Sequence, residues 1–335
     1  MRILCTGATG LLGSAVACLA EEHGHEVVRA HSNGITGVTS HGDLCVDADN
    51  IVRCAKNPDV VIHCAAKVAG VKTAAADPAA FVTDNLVVGA RLFEACAKAK
   101  PQPLLVFVSS STVYPIRVGP TWDTRVTPPI DISDIATESW PLAPHPIYQG
   151  VGGVKVYLEQ LLDFYEAKYG LKSCVVRPTA MYGPGDRSDH VIPDLIRRAL
   201  GGEMPLKVWG DLTTIRDFVY VDDVARGVLK ATLQPGCIVN LGSGTKTTIQ
   251  ELADTVIRAV YTDPYKLVEL EDRYSGSLIR FDATQPNAIP VRQVSIERAE
   301  KILGWRPSVS LADGIKQTVA WFRQKALRAV DPNTH

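Results

Sequence analysis

Cysteine pairs with the C-x-x-C spacing of zinc and redox sites are absent from this chain. Most of its eight cysteines lie in apolar strand or helix patterns, so we expect buried free thiols and a reducing, cytoplasmic compartment, with neither disulfides nor metal. An excess of one charge is also missing, because the net charge is −1 and no long basic or acidic run occurs. This balance argues against nucleic acid or a membrane surface as the main partner.

Long hydrophobic runs are missing as well, and no stretch is apolar enough to span a bilayer. A glycine-rich turn at residue 7 leaves no room for a secretory signal before it, so we expect none. With 335 residues the chain exceeds a typical single domain. We expect a dinucleotide-binding domain over 1–175, to which segments of about 213–245 return, and a mainly substrate-binding domain over 176–330.

What the chain does have is a strand that leads through spaced glycines directly into a helix. Residues 2–6 are mostly apolar, and 14–22 have the apolar period of a helix. Between them, Gly7 permits a tight turn, Gly10 allows a pyrophosphate to approach the backbone, and Gly13 allows close packing of helix on strand. The helix N-terminus would then offer N–H groups to the phosphates. This context predicts a dinucleotide-binding protein.

Strand-like and helix-like segments alternate through the first half of the chain. Strands are predicted at the N-terminus, from Glu26, up to Cys45, from Asp59 and from Leu104. Such alternation indicates an α/β fold with a doubly wound parallel sheet of the Rossmann type, covered by helices on both faces. Ligands bind beyond the carboxyl ends of such strands, where 63–67 and 109–114 lie.

Five further motifs follow the glycine turn in order. They are 109–115 (SSSTVYP), 177–178 (RP), 182–187 (YGPGDR), 216–223 (RDFVYVDD) and 303–307 (LGWRP). Together they resemble the extended short-chain dehydrogenase/reductase family from residue 1 to about 323. The resemblance implies a nucleotide-linked sugar as substrate and epimerisation, dehydration or reduction through a 4-keto sugar.

Three segments resemble one branch of that family, the GDP-fucose synthases, which epimerise and then reduce GDP-4-keto-6-deoxymannose with NADPH. They are 65–70 (AAKVAG), 77–86 (DPAAFVTDNL) and 190–193 (HVIP) with the arginines at 197 and 198. The family resemblance also implies a set of cofactor contacts. These fall on Gly7, Thr9, Gly10, Leu11, Leu12, Gly13, Asp43, Leu44, Ala65, Ala66, Lys67, Asn85, Lys155 and Pro178.

The end of the second strand bears on the choice of nicotinamide cofactor. A carboxylate there would bond the ribose hydroxyls and favour NAD. This chain has RAHSN at 29–33 instead, and Arg29, His31 and Ser32 would suit a 2′-phosphate. We therefore expect NADP(H). If these are merely solvated loop residues, NAD remains possible.

The family centre pairs a tyrosine with a lysine four residues later on one helix, and the lysine lowers the pKa of the phenol that transfers the proton. Lys155 fits the lysine position, because Glu159 and Tyr169 follow it at the family spacing. The tyrosine position is Val151, which carries no proton. Ser110 and Thr112 occupy the place of the hydroxyl that completes the relay, and Ser111 is a candidate substrate contact.

The nearest tyrosine, Tyr148, lies seven residues before Lys155, a rise of about 10.5 Å on a continuous helix. Three glycines lie between them, and each is a poor helix residue by about 1 kcal/mol. We therefore expect the helix to begin near Val154, with Tyr148 folding back towards Lys155 from a preceding turn. Three interpretations stay open: Tyr148 replaces the tyrosine, the chain does weak or unusual chemistry without one, or it binds cofactor as a regulator.

Epimerisation raises a second departure from the resembling branch. That branch has a cysteine where this chain has Thr112, paired with the histidine matched by His190. An alkyl alcohol is too weak an acid to replace a thiol in proton abstraction. His190 alone would supply one proton transfer, or it caps the next helix instead.

Nucleotide diphosphate binding is implied by arginines at family positions. Arg216 and Arg292 match residues that bind phosphate or ribose, and Arg198 has the same potential, since a planar guanidinium suits such groups. Each of them could instead form a surface ion pair. Ala180 stands where many relatives have an asparagine that touches the sugar.

The main hypothesis is thus an NADP(H)-dependent epimerase or reductase of a nucleotide-linked sugar. The alternatives are reduction of a non-nucleotide ketone and a catalytically weak cofactor-binding regulator or scaffold. The resemblance also implies a homodimer through helices at about 84–98 and 154–168. Their apolar residues could equally belong to the core.

Overall fold

The computed structural model of the protein describes residues 1–31, 34–35, 44–67, 78–115, 135–209, 214–282 and 291–330. The strands are β1 (Arg2–Thr6), β2 (Glu26–His31), β3 (Gly34–Ile35), β4 (Val60–His63), β5 (Leu104–Val108), β6 (Ser173–Pro178), β7 (Ala180–Tyr182), β8 (Leu206–Trp209), β9 (Ile215–Arg216), β10 (Phe218–Tyr220), β11 (Ile238–Leu241), β12 (Thr247–Thr248), β13 (Ile279–Asp282) and β14 (Val291–Arg292). The helices are α1 (Leu11–Glu22), α2 (Leu44–Cys54), α3 (Pro78–Lys98), α4 (Gln149–Tyr169), α5 (Val191–Leu200), α6 (Val221–Ala231), α7 (Ile249–Val260), α8 (Pro264–Arg273), α9 (Glu297–Leu303) and α10 (Leu311–Val330).

The main sheet has the strand order β11-β6-β5-β4-β1-β2-β3. Six strands run parallel, and β3 joins the edge antiparallel to β2. The central strands are buried along nearly their whole length, which explains their continuous apolar sequences. The predicted α/β fold with a doubly wound parallel sheet is confirmed.

Helices cover both faces of this sheet. One buried core joins the strands to Val16 of α1 and Val224 of α6. The other joins them to Ile51 of α2, Phe93 of α3 and Leu158 of α4. Successive residues of a strand point to opposite faces, so each strand contributes to both cores.

One predicted element is wrong. A strand was expected to reach Cys45, but Leu44 begins α2 and the chain remains helical to Cys54. The reason is tertiary: Ala48, Ile51 and Val52 of α2 are buried against the sheet, and this packing outweighs the local preference.

The later part of the chain builds a second cluster beside the sheet. Leu195 of α5, Leu252 of α7 and Ile315 of α10 pack around Val208 of β8 and Phe218 of β10. Three short strands lie here in the order β12-β9-β14. Although α6 and β11 come late in sequence, α6 packs against α1 and β11 pairs with β6. The boundary at residue 175 stays a prediction.

Within the described ranges, no helix combines the length and apolar character needed to cross a bilayer.

Candidate active site

The glycine turn forms a cradle that side chains would fill. Gly7 has a φ of +71°, and a Cβ there would lie 2.7 Å from Ala65 after β4. A Cβ on Gly13 would lie 2.1 Å from the Gly7 carbonyl oxygen. Gly10 caps α1 without a side-chain hydrogen bond, which leaves the first N–H groups of the helix for a ligand. These residues fit the diphosphate of a dinucleotide.

The flanking turn residues divide by exposure. Thr9 is exposed and Leu11 half-buried beside the cradle, whereas the Leu12 side chain is buried in the core. Any cofactor contact of Leu12 therefore falls to its backbone.

Arg29, two residues before the end of β2, directs its guanidinium to α1. Its Nε and Nη2 donate to the two carboxylate oxygens of Glu21, at 3.0 and 2.8 Å, and Nη2 also contacts Cys18 Sγ. By the helical rise, Glu21 lies about 15 Å and Cys18 about 10 Å along the axis from the phosphate-binding end of α1. Of the residues expected at a 2′-phosphate, His31 ends β2. Ser32 and Asp43 lie outside the described residues, as does the side chain of Leu44.

The loop after β4 is held by Asn85 of α3. Asn85 Oδ1 accepts from the Lys67 N–H at 2.6 Å, and its Nδ2 donates to the Lys67 carbonyl at 3.0 Å. The Lys67 side chain pairs with Asp84, both half-exposed. Asn85 thus fixes the backbone that carries Ala65 and Ala66 past the glycine turn. Direct contact of these residues with a cofactor stays a prediction.

Lys155 is a buried cation on α4, with 9% of its surface exposed. Its Nζ donates to the Val108 carbonyl at 2.7 Å and lies 4.7 Å from the centre of the Phe107 ring. Both contacts are at the carboxyl end of β5, where the sequence places the ligand edge. Burial lowers the pKa of Lys155 to about 8. A group that titrates near neutral pH is suited to moving protons.

A buried polar network, not anticipated from the sequence, fixes α4 to the sheet. Glu159 accepts from Arg177 at two points, 3.1 and 2.5 Å, and also from Ser109. Arg177 Nη1 donates to the Tyr114 hydroxyl at 2.8 Å, which donates to Asn240 at 2.7 Å. Burial raises the pKa of Tyr114 to about 12, so its hydroxyl stays protonated as a donor. One signal was in the sequence: Glu159 lies four residues after Lys155 and so shares its helix face.

His63, at the end of β4, packs against the same aromatic ring as Lys155. Its imidazole stacks on Phe107 with the centroids 5.8 Å apart, and Nδ1 is hydrogen-bonded to Thr6 Oγ1 at 2.8 Å. Burial, aided by the charge of Lys155, lowers the pKa of His63 to about 3. The imidazole is therefore neutral at physiological pH and forms part of the support beneath the site.

The predicted start of the long helix near Val154 is wrong. The α-helix begins at Gln149 with Tyr148 as its N-cap, and it runs unbroken through all three glycines. A Cβ on Gly152 would lie 2.5 Å from the Thr112 carbonyl oxygen and 2.7 Å from Pro144 Cβ. Close packing on this glycine thus outweighs its poor helix propensity.

Tyr148, the N-cap, consequently stands two turns before Lys155 of the same helix, about 10.5 Å along its axis by the helical rise. The fold-back that would bring Tyr148 to Lys155 is not present. The Tyr148 ring instead lies against Arg292, with the guanidinium carbon 4.6 Å from the ring centre. Val151, one turn before Lys155, is half-buried at the position of the family tyrosine.

The hydroxyl cluster after β5 is ordered around Ser110. Ser110 caps the 3₁₀ turn Ser111–Val113, and its Oγ accepts from the Thr112 N–H at 3.1 Å and from Thr112 Oγ1 at 2.9 Å. The Ser110 hydroxyl hydrogen therefore points to neither of these groups, and an incoming oxygen could accept it. Ser111 and Thr112 are buried, whereas Ser110 is half-buried.

His190 occupies the N-cap position of α5, but its side chain makes no capping hydrogen bond. The interpretation as a side-chain cap is therefore wrong, and its role in proton transfer stays a prediction. Within the described ranges, no group of three His, Cys, Asp or Glu residues is arranged to hold a metal ion.

The three candidate arginines separate in the structure. Arg198 donates to Glu203 at 2.8 and 2.6 Å, to Asp194 at 3.1 Å and to the Lys207 carbonyl, so it is committed to an ion-pair cluster at the C-terminal end of α5. Arg216 and Arg292, by contrast, are direct neighbours on the parallel strands β9 and β14. Pro178 ends β6 opposite Leu241 of β11.

Comparison with known proteins places these features in a family. The model of the NAD dependent epimerase/dehydratase family matches residues 3–242. A putative GDP-L-fucose synthase 2 of Oryza sativa subsp. japonica is 30% identical over 335 residues, which cover 96% of this chain and 86% of the relative. The GDP-L-fucose synthase of Escherichia coli (strain K12) is 28% identical over 342 residues, with 96% of each chain covered.

A solved structure agrees over nearly the whole chain. The UDP-glucose 4-epimerase of Thermus thermophilus in complex with NAD superposes with a TM-score of 0.76 at 28% identity, covering 96% of this chain and 99% of that chain.

Proposed function

This chain belongs to the NAD dependent epimerase/dehydratase family, and we propose that it is an NADP(H)-dependent reductase of a nucleotide-linked 4-keto sugar that works without the family tyrosine. Its relatives are nucleotide-sugar epimerases and reductases. We thus propose both the class of sugar substrate and the nicotinamide cofactor.

The observation that carries the proposal is the burial of Lys155 at the carboxyl end of β5. Burying a lysine ammonium lowers the stability of a fold, so a buried lysine often marks a functional site. The Lys155 ammonium stands at the edge of the sheet that also bears the glycine cradle. This placement supports a role beside the nicotinamide end of a bound dinucleotide.

When bound, the nicotinamide supplies the hydride for the sugar carbonyl carbon. The residues of this chain must then deliver a proton to the carbonyl oxygen, so that a ketone becomes an alcohol. We propose that the proton passes through the Ser110 hydroxyl, which Thr112 orients by two hydrogen bonds and which gives up its own proton only as it receives another. Lys155, with its pKa of about 8, is the proposed source of the proton that Ser110 receives.

Reduction is favoured over epimerisation at two carbons. Proton abstraction beside a ketone needs a stronger acid–base pair than Thr112 offers, and His190 provides one such group at most. The neighbouring guanidinium groups of Arg216 and Arg292 favour a nucleoside diphosphate over an uncharged ketone.

The valine at position 151 favours one other function, that of a cofactor-binding regulator without catalytic activity. Turnover of GDP- or UDP-linked 4-keto sugars by the purified protein with NADPH decides between the two, and its absence across such a panel would leave the regulator.

NADPH should bind the purified protein about tenfold or more tightly than NADH, as measured by calorimetry, because no carboxylate ends β2. Gly13→Ala should weaken both forms about tenfold or more, since its Cβ would lie 2.1 Å from a backbone oxygen. The circular dichroism of the variant should match that of the wild type. Tighter NADH binding would reverse the cofactor assignment, and no binding of either form would reject the proposed function.

We also propose a homodimer formed through α3 and α4, which pack side by side on one face. Leu92 and Phe93 of α3 are core residues. Tyr157 and Phe164 of α4 are 52% and 48% exposed, however, and lie two helical turns apart on one face. A second copy that presents the same patch would cover them.

Sedimentation equilibrium should give twice the mass of the chain for the wild type and the single mass for Phe164→Glu. A monomeric wild type would overturn the dimer.

The cytoplasmic location of the protein stays a prediction.

A further inference from the structure

The contact between Tyr148 and Arg292 joins the start of α4 to the small sheet that bears the candidate substrate arginines. The guanidinium carbon of Arg292 lies 4.6 Å from the centre of the Tyr148 ring. Tyr148 is the N-cap of α4, and its own N–H is bonded to the His145 carbonyl at 2.7 Å. The ring is thus presented from a helix end whose backbone is fixed.

Arg292 shares one face of that sheet with Arg216. The two residues are register partners on parallel strands, so their side chains leave the sheet in the same direction, from backbones about 4.8 Å apart. Arg216 is only 6% exposed and donates to the Ile215 carbonyl at 2.7 Å. No ion pair within the described part of the chain uses Arg292. Two cations on one face attract a ligand with two negative groups.

A ring beside a guanidinium restricts the cation without consuming its donors. The attraction acts between the cation and the face of the ring, and the N–H groups at the edge of the guanidinium stay available to phosphate oxygens. Holding a long arginine side chain in place reduces the entropy lost when a ligand binds. The ring alone provides this effect, and the tyrosine hydroxyl contributes nothing to it.

We propose that Tyr148 is a positioning residue for substrate: its ring orients Arg292 towards the diphosphate of a nucleoside diphosphate, and its hydroxyl takes no part in proton transfer. This inference rests on the proposed function, because it assumes a nucleotide-linked substrate. It also accounts for the geometry of α4, which keeps Tyr148 two turns away from Lys155.

Calorimetric titration of the NADP⁺-loaded protein with GDP and with UDP tests the proposal. Tyr148→Phe should bind the preferred diphosphate as tightly as the wild type. Tyr148→Leu should bind it roughly three- to thirtyfold more weakly, the range of a cation–π contact. Affinity for NADP⁺ should not change in either variant, which also shows that both are folded. Tyr265→Leu, at an 86% exposed tyrosine of α8, is the matched control and should leave both affinities unchanged.

A double-mutant cycle separates the contact with Arg292 from a general effect on α4. In an Arg292→Gln background, Tyr148→Leu should change diphosphate affinity less than twofold, because the stacked cation is already gone. Undiminished binding by Tyr148→Leu in the wild-type background would overturn the inference, and so would a loss of hydride transfer in Tyr148→Phe. If the wild type binds NADP⁺ but neither GDP nor UDP, the nucleotide-sugar assignment itself fails, and the role of Tyr148 fails with it.

Discussion

Lys155→Met should lower the rate of hydride transfer by a factor of about 10² to 10⁴ and, at neutral pH, make the protein more stable. The loss of rate follows from removing the group that resupplies the proton. The gain in stability follows from burial, because the lysine is charged at neutral pH in a site that excludes water. Methionine has a similar length and no charge, and it fills an irregular apolar space well.

The pH dependence gives the sign of this effect. The ordinary pKa of lysine is 10.5, and burial lowers it to about 8 in the fold. Between these values the unfolded chain binds more protons than the native one, so wild-type stability rises with pH and is lost as pH falls from 10.5 to about 8. The drop in pKa from 10.5 to about 8 corresponds to roughly 3 kcal/mol of stability. The gain from Lys155→Met is smaller than this, because the variant loses the contacts of Nζ with Val108 and Phe107.

Urea unfolding measures the free energy of unfolding at pH 7, where native Lys155 is charged, and at pH 10, where it is neutral. Lys155→Met should be the more stable protein at pH 7 and should lose most of that advantage at pH 10. Lys168→Met, at an exposed lysine in the last turn of the same helix, is the control and should alter neither stability nor turnover. A variant that keeps wild-type turnover, or that is less stable at pH 7, would contradict the role given to Lys155.

Val151→Tyr should raise the rate of hydride transfer at least tenfold. A tyrosine at this position stands four residues before Lys155 on a continuous helix, so its phenol and the ammonium share one face. The cation favours the phenolate and thereby lowers the pKa of the phenol. A positioned acid of this kind contributes about 10² to 10⁴ in rate where none was present.

Val151→Phe is the control for this gain, because it adds the ring without the hydroxyl. Single-turnover measurements with NADPH and a panel of GDP- and UDP-linked 4-keto sugars should show faster transfer in Val151→Tyr alone. Equal rates in the two variants would mean that the wild type already has an adequate proton donor at this place.

The sequence was sufficient to predict the fold and the position of the main cation. Gly10 and Gly13 are dictated by contacts with the backbone of Gly7, a few residues away, and the spacing from Lys155 to Glu159 is local as well. The start of α4 could not be predicted, because it depends on Gly152 meeting Thr112, a residue distant in sequence. Local propensity argues for an interrupted helix there, and packing reverses the outcome.

The roles of the arginines depended even more on distant partners. Arg29 lies in a segment suited to a phosphate, yet the turn between α1 and β2 brings Glu21 into reach of its guanidinium. Arg198 finds Glu203 beyond the end of its helix. For both arginines, a glutamate carboxylate of the same chain accepts the hydrogen bonds that an anionic ligand would otherwise accept.

The contact of Gly152 with the Thr112 carbonyl has a consequence for the evolution of this centre. Any side chain at position 152 would push α4 off the hydroxyl cluster, so selection for a stable fold holds that position at glycine whatever reaction the protein performs. The neighbouring position, 151, already accommodates a half-buried side chain, so a lineage could exchange tyrosine for valine there without disturbing the contact of Gly152. An ancestor with the ordinary tyrosine and a descendant that lost it would then share one backbone, and the change of activity would be reversible at a single residue.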